Sequence, residues 1–284
     1  MTHILACVDG SVYADSVQDH AAWAAGRIGA SVEVLYAIDH KRGQAESSDW
    51  SGNMGANQRE DLLAQLADLD AQKGKILQAR GREVLAAAEA RLRERGVTEV
   101  RQTLRNGGLI ETVAEVEDRA DLVVIGKRGE AADFETMHLG ANLERVVRGS
   151  TKPVLVTSRA FKPISKVLIA HDGGPSARKA MERAAEGKLL EGLDLTLLRV
   201  GADSAENRKA LDEAKAYLES KGRAATTRIL PGEPDEVIAQ VVKDEGFDMM
   251  VVGAYGHSRI RHLIIGSTTT TLIRACQIPL LMVR

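Results

Sequence analysis

Apolar residues along the chain fall into short runs, and between the runs lie stretches in which they recur at helical spacing. Ile4 to Val8 is a compact apolar run that stops at Asp9-Gly10-Ser11, and in Ala14 to Ile28 the residues Ala21, Ala22, Trp23, Ala25 and Ile28 mark one helical face. The pattern reads as a strand followed by a helix. Gly29-Ala30 closes that helix, and Ser31 to Ile38 runs as a second strand. His40 to Asn57 carries few large apolar groups besides Trp50 and Met54 and reads as a mobile loop. Gln58 to Arg95 is strongly helix-forming, with Leu62, Leu66, Leu69, Ile76, Leu77, Val84, Leu85, Ala88 and Leu92 near helical spacing. Gly74 and Gly81 are expected to kink or split it. Lys73 and Gly81 interrupt the heptad, which favours packing on the chain's own sheet over a coiled-coil partner surface.

Val97 to Arg105 gives a third strand, Asn106-Gly107-Gly108 a turn, and Leu109 to Arg119 a helix. Asp121 to Gly126 is almost wholly apolar and therefore a central strand. Gly140 to Arg148 reads as helix, Pro153 to Thr157 as a fifth strand, and Ser158 to Ser165, with Pro163, as a linker.

The sequence then starts again. Lys166 to Gly173 restates Ile4 to Gly10, Ala177 to Leu190 restates the first helix, and Leu195 to Val200 restates strand two. Thr226 to Leu230 answers strand three, Val237 to Val242 the helix that follows it, Asp248 to Gly253 strand four, and Pro279 to Val283 strand five. Two copies of one α/β unit are therefore expected, residues 1–158 and 165–284. Asp9 to Gly126 spans 117 positions and Asp172 to Gly253 spans 81, so the first copy carries about 36 extra residues. They fall in an insert at about 40–80. Strands alternating with helices imply an open parallel sheet of five strands in each copy, with ligands at the carboxyl ends of the strands. The apolar final strands would leave exposed edges, so each is expected to cover the other as an internal pseudo-dimer.

Composition narrows the function. The 284 residues are 44% apolar and 27% charged with a formal net charge of −2, which argues against a nucleic-acid or acidic-lipid surface. Aromatic residues make up 3%, leaving the core to Val, Ile, Leu and Ala, as suits a buried parallel sheet. Met1 to Asp9 enters an apolar run without a basic leader, and no stretch approaches a membrane span, so a cytoplasmic location is expected. Cys7 and Cys276 are expected to be reduced and structural.

The sharpest chemistry lies in Val251 to Thr268, where an apolar strand stops at Gly253, Gly256 and Gly266 follow, and Ser267-Thr268 opens a helix. Glycines let a backbone approach a ligand, and the free N–H groups of a helix start face an anion. The Gly-x2-Gly-x9-Gly-Ser spacing, the upstream Asp172 and the five-strand repeat together resemble the universal stress protein family in its tandem form. That resemblance covers both copies except the insert and implies an adenine-nucleotide alpha hydrolase-like fold. It implies ATP or AMP as ligand, with or without Mg2+. Adenine is then expected near Ala170, Val200 and Val252, ribose at Asp172, and phosphates at Gly253, Tyr255, Gly256, Gly266, Ser267 and Thr268. A carboxylate accepting hydroxyl protons and a hydroxyl donating to phosphate agree with those roles. His257 and His262 lack an apparent third ligand for a metal.

The first copy departs from the pattern. Asp9, Gly126, Gly129 and Gly140 are its counterparts, but ten residues separate the last two and Ala141-Asn142 replaces Ser-Thr. Glu130, Asp133 and Glu135 add negative charge, so this site is expected to be weak, altered or empty, although Lys127 and Arg128 pull the other way. No completed catalytic centre is legible, and the chain is not expected to be an enzyme beyond slow ATP hydrolysis at most. The expectation is a nucleotide-linked stress-response regulator; the alternatives are a non-binding scaffold that engages a partner through the insert and, less favoured, an ATP-dependent enzyme. Further association into a homodimer is left open.

Overall fold

A computed structural model describes the backbone of residues 2–39, 56–129, 141–254 and 267–284; the side chains of 56–61, 141 and 267–270 lie outside the description. The first half places β1 (Thr2–Cys7), α1 (Ala14–Ile28), β2 (Ala30–Ile38), α2 (Ala56–Glu94), β3 (Val100–Asn106), α3 (Leu109–Val116), β4 (Leu122–Gly126), α4 (Ala141–Gly149) and β5 (Val154–Thr157) in order. The second half repeats the series as β6 (Lys166–Ala170), α5 (Pro175–Glu186), β7 (Asp194–Val200), α6 (Ala205–Ser220), β8 (Ala225–Leu230), α7 (Pro234–Glu245), β9 (Met249–Gly253), α8 (Ser267–Ala275) and β10 (Leu280–Val283). Short 3-10 turns follow α3 and α5.

Each half contributes five parallel strands, and the ten form one sheet in the order β3-β2-β1-β4-β5-β10-β9-β6-β7-β8. The only antiparallel pair among the described strands is the central one, where Leu280, Leu281 and Met282 face Val156, Leu155 and Val154. The apolar final strands cover each other's edges, as anticipated. Alternating residues feed two cores, because successive side chains of a strand point to opposite faces. Ile4, Ala6 and Val8 pack with α1, α2, α5 and α6 on one face. Leu5 and Cys7 pack with α3, α4, α7 and α8 on the other. Burial on both faces explains why β1, β4, β6 and β9 read as unbroken apolar runs.

The insert resolves differently from expectation. Neither Gly74 nor Gly81 breaks α2, which runs 39 residues against 16 for its counterpart α6. At Gly81 the helix lies against the sheet so closely that a Cβ would stand 2.6 Å from Leu104 Cδ1. Asp19 on α1 accepts from Arg91 Nε at 2.8 Å and Arg95 Nε at 3.0 Å, fastening the C-terminal part of α2. Burial raises the Asp19 carboxyl, but these two guanidinium groups outweigh it and hold the group below the ordinary carboxylate range.

The connection between the halves is packed rather than loose. Phe161 meets His20 edge-on at 5.0 Å, Ile164 is buried, and Ser16 Oγ donates to the Ser158 carbonyl at 2.6 Å. Arg27 of α1 donates to the carbonyls of Leu189 and Glu191 in the second half. Among the described residues no helix is long and apolar enough to cross a membrane.

Candidate functional site

In the second half, β6 ends at Ala170 beside Val252 of β9 and Leu198 of β7. Ala170, Val200 and Val252 all pack on the α7 and α8 face, the first two only partly buried, so they form an apolar wall at the carboxyl edge of the sheet. Two residues past Ala170, the exposed Asp172 turns the chain into α5. Its Oδ1 accepts from the Gly174 N–H at 2.8 Å, Gly173 takes the left-handed φ of +80°, and Pro175 opens the helix, as Asp-Gly-Gly-Pro favours. Gly253 ends β9 where α5 begins: a Cβ there would stand 2.4 Å from the Ser176 carbonyl carbon and 2.6 Å from the Ala177 nitrogen. The glycine is thus required by the helix that packs on it.

Ala170, Asp172, Val200, Val252 and Gly253 are therefore brought to one edge. Ser267 and Thr268 begin α8, the helix that follows the glycine loop, but their side chains lie outside the described residues. Tyr255, Gly256 and Gly266, with His257 and His262, also lie outside them.

Two polar groups at this edge escaped the reading of the sequence. His171 is 4% exposed, and its Nδ1 has no hydrogen-bond partner among the described residues. Burial lowers its pKa, against the upward pull of Asp172 and the Ala177 backbone, so the imidazole is held neutral more readily than in water. Arg199 of β7 buries Nη1, also without a partner among the described residues, 2.8 Å from where a Gly173 Cβ would stand. The signal was present: each interrupts an apolar strand end, His171 after Lys166–Ala170 and Arg199 within Leu195–Val200. Buried unpaired donors are costly, and such groups beside an exposed carboxylate suit a polar ligand bearing hydroxyl or anionic groups.

The first half repeats the backbone with different chemistry. The Ser11 N–H donates to Asp9 Oδ1 at 3.0 Å, the same turn as at Asp172. Register places Val8 where the second half has His171, and Tyr36 where it has Arg199. Gly126 abuts the Tyr13 side chain, whose Cβ would lie 2.9 Å from an added Cβ. Lys127 donates to the Cys276 carbonyl of the second half, and burial lowers its pKa to about 8, so one cation of this loop is engaged between the halves. Gly129 is described, whereas Gly140, Glu130, Asp133 and Glu135 lie outside the described residues. Cys7 and Cys276 are free and buried, and burial together with Asp9 pushes the Cys7 thiol up to about 12. A groove of about 1210 Å³ runs beside Lys127 toward α7 and α8, with Arg159, Lys162, Lys243 and Arg274 among its lining.

Paired five-stranded parallel units, each with an acid turn after its first strand and a glycine after its fourth, define a tandem α/β protein of adenine-nucleotide alpha hydrolase-like architecture. The chain belongs to the universal stress protein family, whose model matches residues 1–158 and again 163–284. Universal stress protein Slr1230 of Synechocystis sp. is 38% identical over 287 aligned residues that cover 100% of both chains. Universal stress protein YxiE of Bacillus subtilis is 26% identical over 146 residues, 42% of this chain and 99% of its own length. The crystal structure of a universal stress protein from Archaeoglobus fulgidus superposes with a TM-score of 0.72 at 19% identity, covering 99% of this chain and 98% of that one, a likeness of fold.

Proposed function

We propose that the C-terminal half binds ATP or a related adenine nucleotide, and that the chain works in the cytoplasm as a nucleotide-linked regulator of a stress response with at most slow hydrolysis. The observation that carries this reading is the meeting at one strand edge of the Ala170, Val200 and Val252 wall and the exposed Asp172; α8, which begins at Ser267, is the next helix in the chain after the strand that ends at Gly253. The wall suits a base, the carboxylate suits ribose hydroxyls, and the start of α8 suits phosphate. His171 Nδ1 and Arg199 Nη1 add polar groups that a bound ligand or water would satisfy. The spacing of Gly253, Gly256, Gly266 and Ser267 gives independent support from the sequence.

Denaturing the purified protein and identifying the released small molecule by mass tests the reading. An adenine nucleotide is expected. If none is released, and nucleotide-free protein takes up neither ATP nor AMP in calorimetry with magnesium present, the reading fails. The exposed apolar residues of α2 favour a second role, engagement of a partner through the insert. Deleting residues 44–78 is then expected to abolish that engagement while leaving nucleotide uptake intact.

A further inference from the structure

Helix α2 has 39 residues and, at 1.5 Å per residue, extends for about 58 Å. Only its C-terminal part rests on the sheet, through buried Leu85, Ala88 and Leu92, with Gly81 at the point of closest approach. Of six exposed large apolar side chains among the described residues, five lie before that point: Leu62, Leu63, Leu66, Leu69 and Ile76, the last three 49%, 60% and 68% exposed. Leu62, Leu66, Leu69, Lys73 and Ile76 follow the four-three alternation of a coiled-coil seam. At 3.6 residues per turn this seam lies about a third of a turn away from the face that carries Leu85, Ala88 and Leu92. It is a separate face, and no other described element packs on it.

We infer that this face is a dimerisation surface, on which α2 pairs antiparallel with α2 of a second copy of the chain. Charge along the helix favours that occupant. Asp70 flanks the seam and Lys73 lies in it, so an antiparallel pair with its two-fold axis near residue 71 sets Asp70 of one copy beside Lys73 of the other. The same register stacks Leu66 on the second copy's Ile76 and lays the aliphatic stem of Lys73 over Leu69, its ammonium within reach of Asp70 across the seam. A parallel pair would instead set Lys73 against Lys73. The sheet edges at β5 and β10 are consumed by each other within the chain, so self-association must use another surface. The inference is independent of nucleotide binding.

Sedimentation velocity on the full chain across about 5–200 μM, with ATP uptake measured on the same samples, tests it, the range being chosen because small interfaces belong to weak, transient pairs. The wild-type protein is expected to reach twice the monomer mass, and Leu66→Glu with Leu69→Glu to remain monomeric with unchanged circular dichroism and ATP uptake. Lys73→Asp is expected to weaken association at least fivefold, and Asp70→Lys combined with Lys73→Asp to restore it. A wild-type monomer at every concentration overturns the inference, as does a dimer that survives the two Leu→Glu changes. Failure of the double charge reversal to restore association overturns the antiparallel pairing.

Discussion

The two halves share a backbone and differ in what they bury at the strand edge. Both end their first strand in an Asp whose Oδ1 accepts an N–H two residues on, from Ser11 in one half and Gly174 in the other. Beyond that turn the first half has Val8, and Tyr36 packed in the core beneath α2, where the second has His171 and Arg199. Burying Val8 leaves no polar group to satisfy, whereas the buried His171 Nδ1 and Arg199 Nη1, without a hydrogen-bond partner among the described residues, each carry a desolvation cost. At equivalent positions of a duplicated fold, one half thus places packing residues and the other polar groups that have no partner among the described residues.

The largest effect that would sharpen this contrast is steric. Gly253→Ala drives a Cβ into the backbone of Ser176 and Ala177, which cannot yield without moving α5, and is expected to cost about 3 kcal/mol. Gly126→Ala meets the Tyr13 side chain and is expected to cost about 1 kcal/mol. Thermal unfolding of the two variants reads the difference directly; equal losses would mean that the two glycines are equivalent.

Next in size is the acid at the turn. Asp172→Ala and Asp9→Ala each remove one turn hydrogen bond, so their effects on stability are expected to match. Only Asp172→Ala is expected to weaken ATP binding, by about ten- to a hundredfold, the worth of a hydrogen bond to a charged group. Equal losses of affinity from both would contradict an asymmetric pair.

The smallest effect is a pH dependence. Burial lowers the pKa of His171 below its ordinary 6.5, so below that value the unfolded chain binds the proton more readily than the folded one. The stability conferred by the neutral imidazole is therefore fully present above about pH 6.5 and is lost as pH falls toward the lower folded value. His171→Val, which copies Val8 of the first half, is expected to flatten the decline of urea stability between about pH 7 and pH 5. It will not abolish it, because His20 of α1 is buried and shifted in the same direction. An unchanged slope would show that His171 does not titrate with folding.

Much of this was legible in the sequence, for identifiable reasons. Strands buried on both faces are short apolar runs, and Leu122–Gly126 and Met249–Gly253 could be recognised as central before any topology was known. Duplication gave each element a second witness, and the edge pairing followed from two apolar strands that would otherwise lie exposed. The elements with weaker patterns were harder to see. Helix α6 leaves little apolar pattern in the sequence, since its buried residues Leu211, Ala214 and Leu218 sit in a strongly charged segment. Gly81 suggests a kink or a split, whereas α2 runs through it and the close approach of Tyr36 and Leu104 accounts for its small size. The overhang of the same helix was invisible as well: apolar spacing says that a face wants cover without saying whether its own sheet reaches it. At the site, Asp172 and Gly253 were legible as a spacing, whereas His171 and Arg199 take their meaning from burial, which only the fold supplies.

The proposal places the strong nucleotide site in the C-terminal half of this duplicated chain and leaves the first half weak, altered or empty. Isothermal titration of ATP with magnesium into nucleotide-free protein measures it most directly. One strong site per chain is expected, retained in Asp9→Ala and weakened in Asp172→Ala; two equivalent sites, or a strong site that Asp9→Ala removes and Asp172→Ala leaves intact, would overturn the proposal.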